Sequence, residues 1–341
     1  MENLINSLPI PLVFLFLIAG FALLIKGADF FVDGSSSIAK RFKVPSIIIG
    51  LTIVAMGTSL PETAVSVTAS IAGKNSLAIS NVTGSNIFNT MMVIGVCALL
   101  TPVMVQKDTL KRDLPFSAVC AFLLMTLGFL GFGDASGMTV GSIDGIILLT
   151  LFAGYIAFLV KAALKSRNSS EGGDLDADSK QESDKERSDD GKITPLWLSC
   201  VFIVGGAIAI IIGGDLTVDS ASRIALSFGM SETLVGLTIV SIGTSLPELV
   251  TSVVAARKNE VDMALGNAIG SSVFNILMVL GIAAAISPIA MLTENLLDIV
   301  VLLAFTFVVW LFAFTRHKID RVEGGIMVAL YAVYAVYICV R

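Results

Sequence analysis

Shifted by 186 residues, the chain superimposes on itself without a gap from Gly27 to Gly95. TIVAMGTSLPETAVSV at 52–67 falls on TIVSIGTSLPELVTSV at 238–253, and NVTGSNIFNTMMVIG at 81–95 falls on NAIGSSVFNILMVLG at 267–281. Upstream, GADFFVDGSSSIA at 27–39 falls on GGDLTVDSASRIA at 213–225. A duplication of this length predicts two like halves that share one interior. Repetition for packing alone would reproduce apolar spacing. It does not explain an acid within an identical GTSLPE hexapeptide in the middle of an apolar stretch.

The surroundings of these motifs are membrane-like. Apolar residues make up 55% of the chain and charged ones 14%, with a mean hydropathy of +0.89. Soluble chains carry roughly 45–50% apolar and about 25% charged residues. Ten stretches have the length of about 20 residues that spans a bilayer: 9–33, 46–72, 78–101, 115–133, 141–162, 195–226, 232–256, 262–287, 296–315 and 322–340. Strand-like alternation is lacking, which argues against a barrel. The first stretch has neither a basic leader nor a cleavage site and reads as a membrane helix. A net charge of −5 argues against a nucleic-acid partner. Cys97, Cys120, Cys200 and Cys339 form no CxxC pair and are expected as buried small hydrophobes.

Loop charge predicts the orientation. With the N-terminus outside, inner loops hold 18 of the 22 Lys and Arg, the excess expected of cytoplasmic loops. Both termini then face out. Residues 166–192 hold nine acids and five bases with almost no hydrophobes, too little to bury for a core. The DLDAD run there lacks the glycine and closing glutamate of a calcium loop. The expected organisation is therefore a first five-helix repeat at 1–165, a flexible acidic cytoplasmic linker at 166–193, and a second repeat at 194–341. Five spans per repeat is an odd number, so the second half enters the membrane upside down. The fold class expected is an all-α polytopic membrane protein: ten transmembrane helices as two inverted five-helix repeats, with helices broken at the midplane. Inverted repeats of this kind build secondary transporters with central sites.

The repeated residues say what such a site would hold. Glu62 and Glu248 lie mid-span, where an ionised side chain costs about 2.5–3.5 kcal/mol on insertion scales. No Lys or Arg repeats with them, so dissolved cations are the natural counter-charge; the competing reading is two protonated glutamates bonded to backbone. Pro61 and Pro247 give no N–H to the carbonyls of Gly57 and Gly243, which predicts a break at GTS. Backbone freed at this depth must line a cavity or be buried. Thr58, Ser59, Thr244 and Ser245 add hydroxyls. Ser85 and Asn89, like Ser271 and Asn275, are four apart on one helical face. This all-oxygen set suits calcium, which takes 6–8 oxygens, and sodium of similar size; zinc prefers nitrogen or sulfur. No GxxxxGK[ST] loop is present, so no ATP-driven step or enzyme activity is expected. Asp29 and Asp33, repeated as Asp215 and Asp219, read as structural partners of backbone or Lys26, with a role in ion access as the alternative.

The doubled GTSLPE at 57–62 and 243–248, with GS-x3-N at 84–89 and 270–275, resembles the cation/calcium exchanger superfamily, and within it the prokaryotic sodium/calcium antiporters. The resemblance covers nearly the whole chain outside 166–192. It implies a diamond-shaped ion cluster in which Glu62 and Glu248 bind Ca²⁺ with the carbonyls of Thr58 and Thr244. Sodium sites would add Ser59, Ser85, Ser245 and Ser271, with carbonyls at Ala55 and Ser241. It also implies that the first and sixth helices slide together across a rigid eight-helix core. One departure is Asn275: many sodium/calcium members carry Asp there, whereas proton-coupled relatives often carry Asn. The expected function is Ca²⁺ export from a prokaryotic-type cytoplasm across the inner membrane, driven by inward Na⁺, with no resident cofactor. Ca²⁺/H⁺ exchange is the runner-up. A cation channel would not need a two-fold inverted site, and an intramembrane metalloenzyme would need a nucleophile or metal-activated water, for which the sequence has no His-based motif.

Overall fold

The computed structural model describes residues 5, 7–73, 75–130, 138–171, 194–231, 235 and 239–340. α1 (Ile10–Phe42) starts behind Pro9 and runs past the expected end at residue 33, because buried Ser35, Ser36 and Ala39 continue its inner face. Lys40 and Arg41 in its last turn favour the negative helix end. It stops where Lys43 takes φ 53° ahead of Pro45. The second span is two pieces, α2 (Ser46–Thr58) and α3 (Leu60–Ile71), bent by 48°. The break falls at Ser59, one residue before the Leu60-Pro61 step, as the proline spacing predicts.

α4 (Ser76–Leu100), α5 (Thr109–Leu130) and α6 (Ser142–Glu171) complete the first repeat. α5 begins before the expected residue 115 because a wide π turn at Thr109–Asp113 carries the helix through Pro115. α6 extends into the charged segment expected to begin at 166; residues 172–193 lie outside the described residues. The second repeat contains α7 (Leu196–Ser227), α8 (Ser241–Gly243), α9 (Leu246–Arg257), α10 (Val261–Ile286), α11 (Thr293–Arg316) and α12 (Arg321–Val340). Among the described residues, eight helices pass as continuous spans and α2–α3 adds a ninth. The α8–α9 segment, described from residue 239, is the repeat mate of α2–α3 and makes the tenth.

Burial separates core from rim. In α4 and α10, 78% of the apolar window is buried, against 22% in α1 and α7. The outer helices turn large apolar side chains outward, as Leu15, Ile18 and Ile25 do on α1. That is the surface lipid requires of a spanning helix. Cys97 and Cys120 are buried, but Cys200 and Cys339 are exposed on outer helices, against expectation; all four are free thiols. In lipid an outward apolar position needs no burial in protein, so hydrophobicity alone did not separate the two pairs.

α1 and α7 pack directly against each other through glycines, in two contacts related by the repeat, Gly27 on Gly206 and Gly20 on Gly213. A Cβ on Gly27 would lie 2.9 Å from the Gly206 carbonyl oxygen, and one on Gly206 would lie 2.7 Å from that of Gly27. Small residues allow such backbone approach between membrane helices. Two short antiparallel ladders tie the ends of the bundle. β1 (Val103–Met104) pairs with β4 (Lys318–Ile319), and β2 (Thr139–Val140) with β3 (Ile289–Ala290). Counting spans puts one ladder at each membrane face, as inverted halves require.

Candidate cation site

The two broken spans aim the N-termini of α3 and α9 at the centre of the molecule. Glu62 and Glu248 sit in the first turns of these helices, where the positive end of the helix dipole favours a carboxylate. Both are fully buried. In sequence, Ser59-x-x-Glu62 and Ser245-x-x-Glu248 read as capping boxes, yet neither serine caps its own helix. Each crosses to the other repeat instead. Ser59 Oγ donates to Glu248 Oε1 at 3.1 Å, and Ser245 Oγ donates to Glu62 Oε1 at 3.3 Å. Ser85 Oγ also donates to Glu62 Oε1 at 3.3 Å and receives a bond from Ser245 Oγ at 3.0 Å. The second oxygen of each glutamate, Oε2, is buried without a partner among the described residues.

A second layer supports the break. Thr58 Oγ1 donates to Asn267 Oδ1 at 3.1 Å, and Thr244 Oγ1 to Asn81 Oδ1 at 3.4 Å. Asn267 Nδ2 donates to Ser252 Oγ at 2.9 Å and to the Glu248 carbonyl at 3.3 Å. Asn81 Nδ2 does the same to Ser66 Oγ at 3.0 Å and to the Glu62 carbonyl at 3.5 Å. Thr58 Oγ1 lies 3.4 Å from Ser271 Oγ. The Ala55 carbonyl accepts the Ser59 N–H at 3.0 Å. Ser241 opens α8, and its side chain lies outside the described residues.

Asn89 and Asn275 each begin a π turn, Asn89–Val93 in α4 and Asn275–Val279 in α10. Such turns recur at functional sites because they re-aim side chains within a helix. Both asparagines are fully buried. Both amide atoms of Asn89 lack partners, as does Asn275 Oδ1. A buried polar atom left unpaired costs about 1–3 kcal/mol, so five such atoms on Glu62, Glu248, Asn89 and Asn275 mark a place built for something that supplies the contacts. Among the described residues no Lys or Arg pairs with either glutamate, and no three His, Cys, Asp or Glu come together. Two carboxylates and neutral oxygens are the donor set of a hard cation.

The break glycines face the outer pair of helices. A Cβ on Gly57 would meet the Phe31 ring of α1 at 2.6 Å, and one on Gly243 would meet Val218 of α7 at 2.2 Å. The α1–α7 unit therefore covers both breaks.

Comparison with known proteins identifies the family. The family described as sodium/calcium exchanger protein matches residues 12–161 and 198–340, both halves and not the segment between. The chain belongs to the sodium/calcium exchanger family. The sodium/calcium exchanger MaX1 of Methanosarcina acetivorans is 33% identical over 95% of this chain and 97% of its own length. The inner membrane protein YrbG of Escherichia coli is 36% identical over 80% of this chain and 79% of its own. A solved structure of the sodium-calcium exchanger NCX_Mj superposes with a TM-score of 0.78 at 31% identity, covering 95% of this chain and 98% of that one.

Within this exchanger family member, Asp29 and Asp33 are held by lysines and not by the central glutamates. Lys26 Nζ lies 3.4 Å from Asp29, as expected, but the stronger tie comes from the turn after α9. Lys258 Nζ lies 2.7 Å from Asp33 Oδ1 and donates to the Asp29 carbonyl at 3.0 Å. Glu260, two residues on, accepts from Ser46 at 2.9 Å and from Ser36. Sequence reasoning missed Lys258, whose partners lie in the other half. It also passed over Asn81, Asn267, Ser66 and Ser252, although the self-alignment places each pair in register.

Proposed function

We propose that this exchanger moves Ca²⁺ out of the cytoplasm in return for Na⁺ moving in, on one site used alternately by the two ions. The observation that carries the reading is the pair of fully buried glutamates, each held by a serine of the opposite repeat and each with one oxygen unpartnered. Two carboxylates balance one Ca²⁺ or two Na⁺, and the ions then compete for the same oxygens. Glu62, Glu248 and the carbonyls of Thr58 and Thr244 are the Ca²⁺ ligands in this reading. Ser59, Ser85, Ser245 and Ser271 serve Na⁺ with the Ala55 and Ser241 carbonyls, and Asn89 and Asn275 complete the cluster as neutral oxygens. The family is one of transporters, and the ions are cargo with no resident cofactor.

We place the protein in the cytoplasmic membrane with both termini outside, supported by the distribution of Lys and Arg between loops. The segment 166–193 is then cytoplasmic. A single cysteine at position 180, in a background with the native cysteines removed, should react with an impermeant maleimide only after the membrane is opened.

The amide at 275 favours one second reading, proton coupling on the same scaffold. Purified protein in sealed vesicles decides between them. Ca²⁺ uptake should follow an imposed Na⁺ gradient and ignore an equal proton gradient. Uptake driven by protons alone would establish Ca²⁺/H⁺ exchange. Ca²⁺ conductance without any counter-ion would mean a channel.

A further inference from the structure

Among the buried positions at which the two repeats differ, one hydrogen-bonds to a site asparagine. Asn86 stands in α4, and its repeat mate in α10 is Ser272. Asn86 Nδ2 donates to the Ser272 carbonyl at 3.1 Å, and Asn86 Oδ1 accepts from Asn275 Nδ2 at 3.1 Å. Both asparagines are fully buried. A backbone carbonyl only accepts. The Ser272 carbonyl therefore dictates which end of the Asn86 amide faces it, and that leaves the Asn86 oxygen facing residue 275. Residue 275 must answer with a donor. Asn275 does so with its nitrogen, which also donates to Ser85 Oγ at 3.1 Å, and its oxygen has no partner among the described residues.

The other half has no such chain. Ser272 Oγ donates to the Ala268 carbonyl of its own helix at 3.0 Å, and Asn89 keeps both amide atoms unpartnered. Among the described residues, one amide of the site is therefore oriented by a hydrogen-bond chain and the other is not.

We propose that Asn86 is a positioning residue that holds the Asn275 amide with its nitrogen toward Asn86 and Ser85, and that disfavours an ionised carboxylate at position 275. The inference rests on the reading of Asn275 as a cation ligand. A carboxylate at 275 would set an acceptor against the Asn86 oxygen, or force Asn86 to turn an acceptor on the Ser272 carbonyl. In either orientation an ionised carboxylate makes one buried contact repulsive, and only its protonated form could answer the Asn86 oxygen with a donor. With the amide in place, the net charge of the site is carried by Glu62 and Glu248 alone.

The test is a double-mutant cycle in purified, reconstituted protein: wild type, Asn86→Ser, Asn275→Asp and the double variant, with Asn86→Ala as a second truncation. Na⁺-driven Ca²⁺ uptake is measured against Ca²⁺ concentration. Asn86→Ser and Asn86→Ala should raise the half-saturating Ca²⁺ concentration about five-fold, the factor of one net hydrogen bond, while the maximal rate stays within two-fold. Asn275→Asp should lower uptake at limiting Ca²⁺ at least about ten-fold, and adding Asn86→Ser should recover most of that loss, because it removes the opposing acceptor. A structural role alone would make the double variant worse than either single one, and that result overturns the proposal. So does an unchanged half-saturation in both Asn86 variants. Ca²⁺-dependent thermal stabilisation of the same detergent-solubilised proteins reads ion binding without transport, and the same ranking is required there. If the wild type binds Ca²⁺ in that assay but exchanges none, the exchange reading fails while the ranking still judges Asn86.

Discussion

At the scale of residues, the site is made by reciprocity. Each glutamate depends on a serine that stands at the cap position of the opposite repeat's helix. Replacing Glu62 or Glu248 with Gln keeps the volume and removes one of two negative charges. Charge–charge attraction in a poorly solvated site is worth several kcal/mol even at an effective dielectric of about 20, so Ca²⁺ uptake should fall at least about 100-fold in either variant. Near-normal uptake by a correctly inserted variant would remove the glutamates from the site. Ser59→Ala and Ser245→Ala each delete one hydrogen bond to a carboxylate, a class of bond worth about 1.5–3 kcal/mol. Both should reduce Ca²⁺ affinity by about 10-fold or more, and by similar factors, since the repeat gives them like partners. A strongly one-sided result, measured as half-saturating Ca²⁺, would contradict a shared two-fold site. The sequence made these acids and hydroxyls legible because they repeat at one offset in apolar surroundings. It could not show which serine serves which acid: Ser59 and Glu62 are three residues apart and look like a local cap, whereas Ser59 and Glu248 are joined only by folding.

At the scale of elements, sequence reading succeeded where backbone chemistry is local and fell short where neighbours decide. The break at Ser59 follows from Pro61, and the end of α7 follows from Gly229 with φ 89°, a conformation glycine adopts freely. The extension of α1 to Phe42 does not follow from hydropathy, because Ser35 and Ser36 are polar and become inner-face residues only when α7 and the turn after α9 pack there. The π turns at Asn89 and Asn275 likewise have no local signal beyond the repeated asparagine. The α1–α7 contact gives a controlled experiment within two adjacent residues. Gly206 faces the backbone of α1, whereas a Cβ on Gly205 would meet nothing within 4 Å. Gly206→Val should cost about 1–3 kcal/mol by overpacking and lower the unfolding midpoint in detergent. Gly205→Val should leave the midpoint within error. Equal effects would mean that the two helices do not pack through this face.

At the scale of the whole molecule, neither half can be complete. The first repeat alone holds Glu62 but not the Ser245 that bonds it; the second holds Glu248 but not Ser59. Each half alone would also expose the polar face of its most buried helix, Ser85, Asn86 and Asn89 on α4 or Ser271 and Asn275 on α10, where unpaired polar groups are costly in hydrocarbon. The halves are nevertheless joined in sequence by residues 172–193, which belong to no described element, while the helices on either side, α6 and α7, are whole. Covalent continuity between the halves should therefore matter far less than their contact. Residues 1–171 and 194–341 produced as two chains in one cell should assemble, co-purify, and restore Na⁺-driven Ca²⁺ uptake to within a few-fold of the intact protein. Either chain alone should give no uptake above empty vesicles, because it brings one negative charge to a site that must balance a divalent ion. Two outcomes would break this account. Uptake by a single half would mean that one repeat, alone or as a homodimer, already forms a competent site. A co-purifying pair without uptake would assign a direct role in transport to the acidic segment 172–193.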